Sequence, residues 1–178
     1  MSMQNQIRTI EVVPYNINWV NKYLAEAEKI KKIMADELVK IHHIGSTSIP
    51  GISAKPVIDI LVEVINIENI DDYNEKMKEI GYIAKGEYGI EGRRFFLKGE
   101  INRTHHIHVF QVGNSEIIRH LNFRDYMISH PDEAKAYSEM KRELAIKFRH
   151  DIDGYCNGKN DFIKNIDRKA EKWVKTRT

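Results

Sequence analysis

Four short stretches of this chain combine residue types that can do chemistry. In His43-Ile44-Gly45-Ser46-Thr47-Ser48, which closes on Pro50-Gly51, a glycine and a serine directly follow an apolar run. A glycine there lets a ligand come close to the backbone, and exposed amides with the Ser46 hydroxyl can hold phosphate oxygens. The Gly-Lys-Ser/Thr ending of a nucleotide-binding P-loop is missing, and Gly-Ser after a strand is more often simply a turn. In Val57-Ile58-Asp59-Ile60-Leu61-Val62-Glu63, a carboxylate sits in an almost continuously apolar run. Burying Asp59 is costly unless it is paired or metal-bound, so it reads either as a functional carboxylate or as one half of an ion pair, with Lys55 or an arginine as partner. Alternation puts Asp59, Leu61 and Glu63 on one face. In His105-His106-Ile107-His108, His106 and His108 share a face and could grip one metal ion, although a third ligand is needed; otherwise they stack or pair. In Gly92-Arg93-Arg94-Phe95-Phe96-Leu97-Lys98, Arg94 and Arg93 point to opposite faces. Either guanidinium suits a phosphate or carboxylate, and the plain alternative is a solvated edge strand.

The elements that must position these residues are readable from periodicity. Ile10 to Val13 is β-prone and Pro14 ends it. Asn16 or Asn18 caps a helix whose apolar positions Trp19, Tyr23, Leu24, Ala27, Ile30, Met34 and Leu38 recur at three- and four-residue steps. Strands are expected over Val39–Ile44, Val57–Val64, Arg93–Lys98 and His105–Val112, with a further one over Tyr82–Lys85, and Val57–Val64 reads as central because it is apolar on both faces. Asp71 to Ile80 is expected as a short helix ended by Gly81, and Gly86, Gly89 and Gly92 as a flexible loop. Ser115–Ser129, Pro131–Phe148 and Lys159–Lys175 carry helical periodicity, with Pro131 suited to a first turn, and Asp151 to Asn160 reads as a polar turn. The expected architecture is an α/β (α+β) fold: a mixed sheet with flanking helices over residues 1–112, then a helical tail over 113–178, in one domain.

Composition narrows the class. With 178 residues, 42% hydrophobic and 30% charged, the chain can bury a core without disulfides or metals. A net charge of +2 gives no general attraction to nucleic acid or membrane. The single cysteine, Cys156, forms no internal disulfide, which fits a reducing, cytoplasmic setting; it reads as a small packed side chain. Met1 to Arg8 lacks the apolar run of a targeting segment, and no stretch approaches a membrane span.

Taken together, the stretches from His43 to Gly51, Lys55 to Val62, Gly92 to Phe96, His106 to Val109 and Phe123 to Tyr126 resemble the GrpB family, small proteins with a nucleotidyltransferase-like fold. Tyr137 to Leu144 and the Tyr155, Lys159, Phe162 spacing are also similar, so the resemblance covers nearly the whole chain. The wider superfamily implies a Gly-Ser turn followed about a dozen residues later by Asp-x-Asp. Gly45-Ser46 and Asp59 fit, but the second acidic position is Leu61, and Glu63 lies one pleat further on, about 7 Å. The resemblance implies a metal-dependent transferase acting on a nucleotide or phosphorylated small molecule. Gly45, Ser46, Lys55, Arg93 and Arg94 would hold the ligand, and Asp59 with Glu63 would do the catalysis. A divalent ion (Mg, Mn or Zn) would sit on Asp59, with His106 and His108 completing a two-histidine, one-carboxylate set. The competing reading is a non-catalytic binding module that lost the second carboxylate. A third, an RNA-associated protein using the basic tail, sits poorly with the near-neutral charge.

Overall fold

The computed structural model describes residues 10–99 and 101–177, so the reading of Met1 to Arg8 lies outside the described residues. In chain order the elements are α1 (Asn18–Ile33), β1 (Leu38–Ile44), a 3₁₀ turn (Ser46–Ser48), β2 (Ile58–Val64), a second 3₁₀ segment (Ile67–Tyr73), α2 (Asn74–Glu79), β3 (Tyr82–Ala84), β4 (Arg93–Lys98), β5 (His105–Gln111), α3 (Ser115–Ser129), α4 (Pro131–Lys147) and α5 (Ile152–Lys175). The expected α/β class with a mixed sheet is what the chain adopts. The strands form one five-stranded sheet in the order β1-β2-β5-β4-β3. β2 and β5 run parallel, and every other pair is antiparallel.

The apolar run that marks β2 as central also divides the two layers. Ile58, Ile60, Val62 and Val64 face one core with Phe96, Ile107 and Val109, closed by Trp19, Ile30 and Met34 of the α1 region and Met77 of α2. On the other face Leu61 packs with Ile44, Phe110 and Ile117 of α3. Helices α3, α4 and α5 cover this second face through a further core of Phe123, Tyr137 and Ile166 against Ile49 and Ile52. Asp59, His106, His108 and Arg93 therefore lie between the sheet and the C-terminal helices.

Several local expectations need correction. The helical stripe read through to Leu38 stops at Ile33, and Leu38 opens β1. The Glu37 and Leu38 amides both donate to the Met34 carbonyl, forming a turn that keeps Met34 in the core without extending the helix. Leu24 is exposed, while Glu26 takes an inward position bonded to Tyr82 and Lys98. Ile10 to Val13 makes only a single bridge, Val13 to Ala54, because Pro14 cuts the pairing short. The largest misreading is Asp151 to Asn160, which lies in or directly caps α5 rather than forming a polar turn. Asp151 accepts a hydrogen bond from the Gly154 amide and starts the helix. The glycines that suggested a turn are instead points of close packing: a Cβ on Gly158 would stand 2.8 Å from Leu144 of α4, and one on Gly154 2.5 Å from the Phe148 ring.

Candidate functional site

The site begins where β1 ends. Ile44 pairs with Asp59 across the β1–β2 ladder, so the turn after Ile44 lies directly over the Asp59 side chain. Gly45 there adopts φ 71°, and a Cβ would stand 2.6 Å from Asp59 Oδ2. Only glycine combines that conformation with that approach. The 3₁₀ turn is held by the Ser48 hydroxyl, which donates to the Gly45 carbonyl at 2.5 Å, and by a 2.9 Å hydrogen bond between His43 Nε2 and Thr47 Oγ1. Burial pulls His43 down to about 4, so it is neutral at physiological pH.

Two imidazoles converge on one oxygen of Asp59. His108 Nε2 lies 3.1 Å and His106 Nδ1 3.5 Å from Oδ1. Burial pushes the Asp59 carboxyl up, but the hydrogen bonds from His106 and His108 outweigh it and hold the group well below the usual carboxylate range. The tautomer of His108 follows from its other contact. Arg93 Nη1 lies 3.3 Å from His108 Nδ1, and a guanidinium can only donate. Nδ1 is therefore the acceptor, and the proton sits on Nε2, which donates to Asp59. Arg93 is fixed in turn by donating to the Glu87 and Tyr88 carbonyls at 3.1 and 2.7 Å. These bonds make the glycine-rich stretch before β4 a hydrogen-bonded turn, where the sequence suggested a flexible loop.

Two cavities meet at Ser46, Asp59 and Lys159. The smaller, about 200 Å³, also involves Lys55, His106, Lys141 and Tyr155. Lys55 and Lys159 each stand 5.1 Å from the centre of the Tyr155 ring, and Lys141 stands 4.4 Å from that of Tyr137. Lys141 is 1% exposed; burial first, then Lys159 and Lys55, lowers its ammonium to about 7. The second cavity, about 540 Å³, runs toward Ile44, Phe123, Tyr137 and Ile163, with Arg93, Arg119 and His120 on its walls. Burial, Arg119 and His108 hold His120 down at about 3. Grooves of similar or larger volume along α4 lack such convergence of ionisable side chains.

The structure thus brings together Gly45, Ser46, Lys55, Asp59, Arg93, His106 and His108. It does not bring in Arg94 or Glu63. Arg94 lies on the opposite face of β4, where Nε donates to Asp71 at 2.8 Å; strand alternation makes Arg93 the inward arginine. Glu63 is tied to His42 at 2.6 Å, and Leu61, at the second acidic position, is fully buried. A two-histidine, one-carboxylate metal set does not fit these donors. To ligate through Nε2, neutral His108 would carry its proton on Nδ1, against the Arg93 guanidinium. Among the described residues, no group of three His, Cys, Asp or Glu is arranged to hold a metal ion. From the sequence, Lys141, Lys159 and Tyr155 enter only through spacing shared with the GrpB family. The stronger signal was a lysine in the buried α4 stripe Ala134, Tyr137, Ser138, Lys141 and Ala145.

Comparison with known proteins agrees with this architecture. The profile of a family described as GrpB protein matches residues 9–169. UPF0157 protein YqkA of Bacillus subtilis is 46% identical over 96% of this chain, and the chain spans 50% of that protein's length. The crystal structure of conserved protein GrpB from Enterococcus faecalis superposes with a TM-score of 0.89 at 42% identity, covering 92% of this chain and 99% of that one. A more distant relative, dephospho-CoA kinase of Mycolicibacterium paratuberculosis, is 23% identical over 93% of this chain and 47% of that protein.

Proposed function

This chain belongs to the GrpB family, and on that premise we propose that it binds a nucleotide or another phosphorylated small molecule in the cleft between its sheet and its C-terminal helices. The observation that carries this reading is the meeting of two unlike cavities at Ser46, Asp59 and Lys159. One is a small recess ringed by ammonium groups, suited to phosphate oxygens. The other is larger, walled by Ile44, Phe123 and Tyr137, and suited to the organic part of the same ligand. Ser46 and Lys159 stand where the ester linkage would pass, and Arg93 borders the organic end. The likeness to a protein named dephospho-CoA kinase is in keeping with a phosphorylated ligand. It does not carry kinase chemistry over, because the Gly45 turn lacks a P-loop lysine.

Binding without nucleotidyl transfer is the reading we favour over a two-metal transferase. Transfer of that kind uses two carboxylates to hold two ions against the triphosphate. Here the second position is a buried leucine, and Asp59 is already engaged by two imidazoles. Calorimetry and thermal unfolding with adenosine mono- and triphosphate test the proposal. At a ligand concentration of 100 Kd, stabilisation is about 2.7 kcal/mol, which in a chain of this size raises Tm by roughly 5–10 °C. Ser46→Ala should weaken binding without unfolding the protein. The proposal fails if no phosphorylated compound shifts Tm. If nucleotide turnover occurs with Mg²⁺ or Mn²⁺ and Asp59→Asn abolishes it in a folded protein, the transferase reading replaces the binding module.

A further inference from the structure

The ammonium-ringed recess has a feature that a generic phosphate contact does not require. Three of its lining side chains present buried polar atoms with no hydrogen-bond partner: Lys141 Nζ, Tyr155 Oη and His106 Nε2. Lys141 and Tyr155 are each 1% exposed. An unpaired ammonium at that depth destabilises a fold, and proteins keep such a group where a partner arrives from outside. Burial here is imposed by the helices themselves. Lys141 lies in the inward stripe of α4 and Tyr155 in the inward face of α5, and the two helices pack closely because Gly158 admits Leu144.

We infer that this recess is a site for a condensed phosphate, a diphosphate or the terminal phosphates of a triphosphate, gripped from three sides by Lys55, Lys141 and Lys159 and capped by Tyr155 Oη and His106. This rests on the phosphorylated-ligand reading above and names its substrate class. Charge selects the class: three ammonium groups face one carboxylate, Asp59, and one oxygen of that carboxylate is already satisfied by His106 and His108. Shape selects within it. Lys141 and Tyr155 mark the deep end and contribute only to the recess, whereas Ser46, Asp59 and Lys159 lie at the junction with the second cavity. On this reading a single tetrahedral phosphate would meet the groups of one end, and a diphosphate would meet both sets. Among the described residues Lys141 makes no ion pair with Asp or Glu, and its aromatic partner is the Tyr137 ring.

The test uses inorganic pyrophosphate, orthophosphate and adenosine monophosphate as separate probes in calorimetry, with the unliganded protein followed by thermal unfolding. Pyrophosphate should bind at least about tenfold more tightly than orthophosphate, and Lys141→Met should weaken pyrophosphate roughly tenfold or more, the scale of one charge-assisted hydrogen bond. The same variant should raise the Tm of the unliganded protein, because methionine fills the site without an unpaired charge. A lysine with a merely structural role would lower it. Should Lys141→Met not fold, Lys159→Gln, at a half-buried position, is expected to weaken pyrophosphate comparably. Equal affinity for orthophosphate and pyrophosphate, or full affinity in a folded lysine variant, overturns the inference. Adenosine monophosphate binding without pyrophosphate binding overturns it while leaving the proposed function standing, and silence from every phosphorylated probe removes both.

Discussion

At the scale of single residues, the site depends on a glycine and a carboxylate that share one small volume. Gly45 has φ 71° and would place a Cβ 2.6 Å from Asp59 Oδ2, whereas Gly51 has φ 82° with nothing within 4 Å of its Cβ position. The pair separates two costs. Gly51→Ala should lose only the conformational part, about 1–2 kcal/mol in denaturant unfolding. Gly45→Ala carries that strain plus the clash, so a loss of about 2–4 kcal/mol is expected, together with impaired ligand binding as Asp59 is displaced from His106 and His108. If the two variants are equally destabilised, the close approach at Gly45 is not what holds the carboxylate in place. The same scale explains why Arg93 and not Arg94 belongs to the cleft. Both are arginines in one strand, and the pleat alone sends one to His108 and the other to Asp71.

At the scale of elements, α1 is tied to the far edge of the sheet by a buried acid. Glu26, 4% exposed, accepts from Tyr82 of β3 at 2.9 Å, pairs with Lys98 of β4, and lies 3.0 Å from Lys29. Burial pushes its carboxyl up, but hydrogen bonds from Lys98, Lys29 and Tyr82 outweigh it and hold it at about 2. Because the folded value lies below the ordinary 4.5, the stabilisation is fully present above that pH and is lost as pH falls from about 4.5 through about 2. Acid unfolding should therefore steepen in that window, and Glu26→Gln should flatten it while costing about 1–3 kcal/mol at neutral pH. An unchanged acid limb in the variant would assign acid sensitivity to other groups.

At the scale of the whole molecule, one sheet serves two purposes. One face is a conventional core against α1 and α2, and the other is part core, part cleft, divided along β2 between Leu61 and Asp59. That division decides what the second acidic position can be. Leu61 is fully buried with Ile44, Phe110 and Ile117, so an acid there is cut off from solvent. Leu61→Asp is expected to cost about 3–5 kcal/mol in urea unfolding and to create no nucleotidyl transfer. A stable Leu61→Asp protein that gains metal-dependent turnover would mean that the cleft is one substitution from a transferase.

How much of this was legible without the fold varies with the range of the interaction involved. Local patterning alone carried the α/β class, all five strands to within a residue, and the helices α3 and α4, because hydrophobic periodicity is imposed by the layer each element must pack against. Gly45-Ser46 and Asp59 were legible for a related reason: a glycine after a strand and a carboxylate inside an apolar run are both locally anomalous. The start of α5 was not, since Gly154 and Gly158 look like turn residues until α4 is seen beside them. The inward arginine was ambiguous because alternation gives two faces without saying which one meets Asp59; only the register of β4 on β5, with Arg93 opposite Phe110, decides it. The lysine recess was the least legible. Lys55, Lys141 and Lys159 are separated by 86 and 18 positions, and nothing in a linear spacing says that a loop, α4 and α5 place them around one cavity. The sequence by itself determined the elements and the residues that are unusual within them; the tertiary structure alone decided which of those residues meet, because a site assembled by long-range packing leaves no local periodicity to read.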